Sequence, residues 1–552
     1  MPPPPTSAAT LQWLSLVAII WLQSVNGTNT TFPAYSSQLK NLLSLSQLQL
    51  NNLAFASDAG KLFGFISGFA ALHLPLPLVL LAGSLLGLAG YGAQYLFLTG
   101  TIITSLSYPQ IFLLTVLAGN SICWINTVCY VVAVRNFPAA NQPLTVGIST
   151  AYQGLSAKIY TVFAAAVFPA ASKNPAEAYL LLSSLLPLLV TTFTAPLLRD
   201  GGAEREMEGG GVVAIFLVTI ATGVYSVVSS LTFFPMSPSR GAVGISAFLL
   251  APLAVPIVIK LRRELNVAGK KKGSTRIYTM NYGEEIDIGR VENGVAEGTR
   301  GGGEGGEAKL PMEMAVTAIS DEGKSGGENK EGFVGVGVMV KRVEFWVYFG
   351  AYLCGPTIGL VFLNNLGQIA ESRGELRTAS LVALSSSFGF FGRLVPSFLD
   401  YFLARSRCKI SRPASIAALM APMAAAFFLL VINTTASFNH VALYVSTAVI
   451  GVCTGAITSI SVSTTSDLFG TANFSLNHNI VVANIPLGSF AFGYLAAFFY
   501  HREGGGGGKC MGMLCYRDTF VIWGSLCGFG TLLALVLHAR TRKLYSQTVL
   551  AT

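Results

Sequence analysis

Apolar runs of about twenty residues, separated by short breaks rich in glycine, proline or charge, recur along most of this chain. Each is long enough to cross a hydrocarbon layer of roughly 30 Å as a helix. Helix is the form such runs must take, because lipid offers no partner for a free backbone amide or carbonyl. The runs near Leu11–Phe32, Leu50–His73, Leu78–Leu98, Gln110–Val134, Leu144–Pro169 and Tyr179–Leu198 predict six helices. Two more are expected near Val212–Phe234 and Ala242–Ile259. After a long polar stretch, Val343–Leu366, Leu376–Phe402, Pro413–Ile432, His440–Val462, Phe474–Tyr500 and Thr519–His538 predict another six.

This order predicts an all-α integral membrane protein of two six-helix bundles with two extra helices between them. Residues 1–200 form the first bundle, 201–260 the linking pair, 261–341 a linker, and 342–552 the second bundle and tail. Paired halves about a central insertion imply a binding site between the bundles, near the bilayer midplane. The linker carries Gly301-Gly302-Gly303 and Lys270-Lys271-Lys272 among many Gly, Glu and Lys residues, so it is expected to be disordered. Its Gly323-Lys324-Ser325 is not a phosphate loop, since Ala318 stands where the earlier glycine is needed and no strand precedes it. Glycines four apart, Gly64 and Gly68, Gly83 and Gly87, Gly355 and Gly359, Gly451 and Gly455, suit close helix packing. With 58 glycines in the chain they argue packing and nothing more.

Composition agrees with this picture: 52% of residues are hydrophobic and 11% charged, where soluble domains carry charge at about a quarter of positions. The net charge of +9 has its largest basic cluster between Lys260 and Arg342, with no aromatic–basic pattern, so it indicates a cytoplasmic loop beside anionic lipid and not nucleic acid. With a cytoplasmic amino terminus, fourteen crossings place that linker, the loop with Arg405, Arg407, Lys409 and Arg412, and the tail with Arg540, Arg542 and Lys543 on the inside. Arg373, Arg377, Arg502, Lys509 and Arg517 fall on the other side. The Pro-rich start lacks a basic region, so the first apolar run is expected to remain as a spanning helix. Of the eight cysteines, Cys123, Cys129, Cys354, Cys453 and Cys527 lie in apolar runs and Cys408 in a basic loop. Cys510 and Cys515 share one loop and form a disulfide if that loop faces an oxidising compartment, and stay as thiols otherwise. Asn26, Asn29, Asn433 and Asn473 begin glycosylation sequons, of which Asn433 lies at an expected outer loop.

Longer stretches resemble a known family. Trp21-Leu22-Gln23-Ser24-Val25-Asn26-Gly27-Thr28-Asn29, Tyr35-Ser36-Ser37-Gln38-Leu39-Lys40, Gln49-Leu50-Asn51-Asn52-Leu53-Ala54 and Ala118-Gly119-Asn120-Ser121-Ile122-Cys123-Trp124 are similar to the plant nodulin-like family. Phe362-Leu363-Asn364-Asn365-Leu366-Gly367-Gln368 and Ala483-Asn484-Ile485-Pro486-Leu487-Gly488-Ser489-Phe490 resemble its nuclear-fusion-defective-four group. The resemblance implies a major facilitator fold, distantly similar to oxalate/formate antiporters and monocarboxylate transporters. The charged signature usual between helices two and three is reduced to His73-Leu74-Pro75-Leu76-Pro77, while the second half keeps Gly392-Arg393-Leu394, Asp400, Arg405 and Arg407. Control of the inward gate is therefore expected mainly in the second half. Monocarboxylate transporters resemble this chain at Phe391-Gly392-Arg393, where their arginine binds the substrate carboxylate, but the acidic residue usual four positions earlier is replaced by Gly389.

A charge inside a membrane helix costs about 2.5 kcal/mol or more at the centre, so each one is a functional candidate. Asp58 and Lys61, three residues apart, share a face of the second helix. Asp58 is the candidate proton carrier and Lys61 a candidate substrate ligand; the alternative is a self-neutralising pair that locks the helix. Arg393 follows a glycine in the matching helix of the second half, as Lys61 follows Gly60, and a guanidinium suits a carboxylate. Its alternatives are to snorkel to the cytoplasmic face or to pair with Asp400 as a gate. Lys158, Asn120 and Asn365 complete the candidate substrate-binding set, and Asn126, Asn364, Asn479 and Asn484 are further polar residues at membrane depth, whose commoner role is interhelical hydrogen bonding.

The five histidines show no zinc-ligand or haem spacing, and no nucleophile elbow or dinucleotide fingerprint is present, so neither enzyme, metal nor cofactor is expected. The expected function is secondary transport of a small organic anion, a carboxylate, by alternating access with proton coupling, across the plasma or vacuolar membrane. The alternative is a receptor or scaffold that kept the fold without transport.

Overall fold

The computed structural model describes residues 5–102, 105–138, 141–168, 175–198, 209–229, 237–262, 264–265, 335–375, 378–403, 411–432, 435–471, 473–504 and 510–550. Most of the 261–341 linker lies outside the described residues, as do Arg377, Arg405, Arg407, Cys408, Lys409 and Asn433. Every regular element among the described residues is helical. Eleven of the helices are long and apolar enough to cross a membrane.

The first half runs α1 (Pro5–Asn26), α2 (Phe32–Leu42), α3 (Gln47–Ala59), α4 (Gly64–His73), α5 (Leu76–Leu98), α6 (Tyr108–Arg135), α7 (Gln142–Val167) and α8 (Pro175–Thr194). Here α1 and α2 are joined by a 3-10 segment, Thr28–Thr31, and α3 and α4 by another, Gly60–Phe63. The apolar run expected to end at Phe32 is thus interrupted after Asn26, and the chain continues helical to Leu42. Ser46 and Gln49 fix the start of α3 with a reciprocal capping box, at 3.2 and 2.9 Å.

The inserted pair is α9 (Gly209–Val228) and α10 (Pro238–Leu250), whose apolar span reaches Arg262. The second half runs α11 (Val336–Lys341), α12 (Val343–Tyr352), α13 (Ile358–Ser372), α14 (Thr378–Leu403), α15 (Arg412–Leu429), α16 (Ala436–Phe469), α17 (Phe474–Val482), α18 (Asn484–Glu503) and α19 (Leu514–Leu550). The end of the expected linker, Val336–Lys341, is helical because its apolar residues bury Met339 against the second half. A π turn with Pro356 inside it, Leu353–Thr357, joins α12 to α13, since proline cannot donate to the ladder. The four interruptions, after Asn26, at Gly60–Phe63, at Leu353–Thr357 and at Ala483, divide one helix from the next in the middle of an apolar run.

Polar contacts fix the rotation of these mostly apolar rods. Asn26 Nδ2 donates to Asn126 Oδ1 at 2.8 Å, Gln23 to Ser149 at 3.1 Å, and Tyr91 to Thr28 at 2.9 Å, gathering α5, α6 and α7 around the first crossing. The close approaches expected of glycine are present: a Cβ at Gly119 would strike the Ser57 carbonyl, and one at Gly60 the backbone of Val116 and Asn120. The glycine pairs four residues apart likewise face neighbouring helices, Gly83 against Trp124 and Gly455 against the Gly389 backbone. Cys510 and Cys515 are bridged.

Candidate functional site

The two halves meet along two seams. In the first, α3 and α4 face α13, α17 and α18: Asn51 donates to Asn365 Oδ1 at 3.3 Å, and Ser475 donates to the Gly68 carbonyl at 3.2 Å. In the second, α7 faces α14 and α16: Ser386 donates to the Gly154 carbonyl at 2.5 Å and Thr150 to Ser459 at 3.1 Å. Between the seams lies a cavity of about 90 Å³, room for several waters. The loosened turn Gly60–Phe63 delivers Lys61 to it from the first half, and α14 delivers Arg393 from the second. Asn126, Tyr130 and Gln153 line one side and Tyr352, His478 and Asn479 the other.

Lys61 and Asp58 are both buried and form an ion pair at 2.6 Å. Asp58 does more than neutralise its neighbour. Its other oxygen accepts Ser489 Oγ at 2.6 Å and Asn364 Nδ2 at 3.0 Å, both from the second half. The carboxylate is thereby saturated with donors. Arg393 is the contrast: among the described residues no acidic one lines its cavity, and its buried Nε has no hydrogen-bond partner there.

The other expected residues are placed differently. Lys158 is buried on the α7–α14 seam, its backbone amide 3.4 Å from Ser386 Oγ. Asn365 is buried outside the cavity lining, bonded to Asn51 and to the Val361 carbonyl, and Asn120 is packed behind Gly60. Asn484 accepts from Thr357 at 2.8 Å. Asp400 does not pair with Arg393. It lies two helical turns further on, where Arg412 of α15 reaches it at 3.4 Å and also pairs with Asp467. Asp467 and His478 were not anticipated. His478 is flanked by Asn477 and Asn479 in the sequence, and in the fold it stacks on Phe474 and meets Tyr130 edge-on beside the cavity.

Residues 12–261 match the family model described as Nodulin-like, and residues 330–547 match NFD4, C-terminal domain. Protein NUCLEAR FUSION DEFECTIVE 4 of Arabidopsis thaliana is 35% identical over 97% of this chain and 89% of its own length. The chain belongs to this nodulin-like family. The nodulin-like chain is similar in fold to the crystal structure of peptide transporter POT in complex with sulfate, at TM-score 0.53, 13% identity, and coverage of 97% of this chain and 95% of that one. A bacterial homologue of the human drug peptide transporters PepT1 and PepT2 gives TM-score 0.50 at 12% identity, covering 98% of this chain and 99% of that one. At such identities the likeness is one of fold, and it agrees with the two-bundle architecture expected from the sequence. The nodulin-like protein is a multi-pass membrane protein with a transporter-type fold.

Proposed function

We propose that this protein is a secondary transporter of a small organic anion, a carboxylate, working by alternating access in the plasma or vacuolar membrane. The observation that carries the reading is the meeting of two cations, buried Lys61 and Arg393 with its buried Nε, one from each half, at a cavity that no acidic residue among the described ones lines. Asp58 already balances Lys61, so the cost falls on Arg393, a buried cation with no acidic residue among the described ones lining its cavity, and an anion relieves it. A carboxylate between them draws the halves together, and the two seams are the surfaces that part on either side of it.

Asp58 is the proton carrier in this reading. With Asp58 ionised, Lys61 is held by its neighbour; with Asp58 protonated, Lys61 is released toward the anion, and the acceptor for Ser489 and Asn364 weakens. Proton and anion therefore travel together.

Uptake of labelled organic acids, amino acids and sugars into proteoliposomes, with and without a pH gradient, tests the proposal. A carboxylate is expected to accumulate when the gradient is applied. Correctly inserted Lys61→Gln or Arg393→Gln protein moving that solute as well as the parent does would overturn it.

A further inference from the structure

A second, smaller cavity of about 40 Å³ adjoins the central one, and Thr30, Leu360 and Arg393 line both. Arg393 thus stands in the partition, with space on two sides. Beyond it, glycines (Gly154, Gly359, Gly389, Gly451 and Gly455) share the walls with aliphatic side chains such as Leu363, Val382 and Ile450. Two polar atoms of its lining residues, Arg393 Nε and Thr454 Oγ1, are buried and lack any hydrogen-bond partner. Two unmet donors in one small space are a penalty that an acceptor relieves.

The glycines keep that space. A Cβ at Gly154 would collide with the Arg393 guanidinium, and one at Gly359 with the Thr454 hydroxyl. Gly389 precedes Arg393 by one helical turn, where an acidic side chain would reach and neutralise it. Among the described residues, no acidic one lines the smaller cavity. Ser386, which does line it, accepts the Lys158 backbone amide at 3.4 Å and donates to the Gly154 carbonyl, so its hydroxyl is engaged on the seam.

We infer that the smaller cavity is a carboxylate subsite, in which Arg393 Nε–H and the Thr454 hydroxyl hold the two oxygens, and whose small volume admits only acids unbranched at the carbon next to the carboxylate. The inference rests on the reading of the central cavity as an organic-anion site and adds the selection rule. A linear acid places its carboxylate among the glycines and its tail in the central cavity beside Tyr130 and Tyr352. A tertiary carbon next to the carboxylate does not enter.

Binding of valerate and of its isomer pivalate to the purified full-length protein, by calorimetry at one pH, tests this with equal charge and carbon count. Valerate is expected to bind at least about tenfold more tightly than pivalate. Thr454→Val, close in volume, is expected to weaken valerate about tenfold. Gly389→Ala adds a methyl whose nearest neighbour, the Gly451 carbonyl, is 3.4 Å away, so the helix accepts it while the cavity narrows, and valerate binding falls. Equal binding of the two isomers, binding of neither, or unchanged valerate affinity in both folded variants overturns the subsite; the isomer comparison needs no variant to fold. Where the subsite fails in this way, gradient-driven uptake of a different carboxylate in the same preparation would leave the transport reading standing and remove the subsite alone.

Discussion

The carboxylate of Asp58, in the first half of the chain, accepts the hydroxyl of Ser489, in the second, at 2.6 Å. The same group balances the buried Lys61 ammonium, also at 2.6 Å. One side chain thus serves charge neutrality within a helix and cohesion between halves, and the two roles separate by mutation. Asp58→Asn leaves Lys61 buried without a counter-charge, which is expected to cost about 3–5 kcal/mol. Adding Lys61→Met is expected to restore more than half of that loss. Unfolding in detergent, followed for both single variants and the double, checks it; a double variant as unstable as Asp58→Asn would show that the stranded charge is not the cause.

Cohesion between halves has its own readout. Cys123 is buried and lines the central cavity, so its maleimide reactivity reports opening. Ser489→Ala and Asn364→Ala each remove one hydrogen bond to Asp58, worth about 1.5–3 kcal/mol because the acceptor is charged. Each is expected to raise Cys123 labelling several-fold, measured by mass spectrometry of the digested protein. Unchanged labelling in both would mean the seam does not depend on these bonds.

The crossing of α3 over α6 depends on Gly119, where a Cβ would fall on the Ser57 carbonyl. Both backbones must move to admit a methyl, at about 1–3 kcal/mol or more. Gly119→Ala is therefore expected to lower the yield of monodisperse protein sharply, whereas Gly493→Ala, with nothing within 4 Å of the added carbon, is expected to leave it near the parent level. Size-exclusion profiles of the three proteins decide this.

These glycines show how far the sequence could be read. Long apolar runs announce helices and their order follows from the runs, but where the runs predict fourteen crossings, eleven of the described helices are long and apolar enough to cross. Which face of each helix points inward does not follow, because lipid-facing and core-facing positions are both apolar. Asn120 and Asn365 were for that reason expected beside the substrate and are packed elsewhere, while Asn126 and Asn479 do line the cavity. Asp58 and Lys61 were legible as a pair because three residues on one helix fix their distance. Their partners Asn364 and Ser489 lie more than 300 residues away and depend wholly on how the halves dock. The same reason hid Arg412 and Asp467 as the partners around Asp400.

The Cys510–Cys515 bridge carries a topological consequence, since structural disulfides persist in oxidising compartments. Its loop is expected on the exoplasmic or lumenal side, which puts the end of α19 on the cytoplasmic side. A cysteine introduced at Arg517 should react with impermeant maleimide in sealed cells or vesicles of known sidedness. One introduced at Arg542, which is exposed, should react only after permeabilisation. The reverse pattern would invert the assigned orientation.

The inserted helices touch both moving bodies. Trp21 of α1 donates its indole N–H to the Leu249 carbonyl of α10 at 2.7 Å, while Phe216 of α9 stacks on Phe398 of α14 with ring centres 4.3 Å apart. In the proposed transport cycle, rocking of the halves would have to stretch, slide or carry this bridge, so the pair would act as a spring laid across the joint, its stiffness setting how readily the gap beneath it widens.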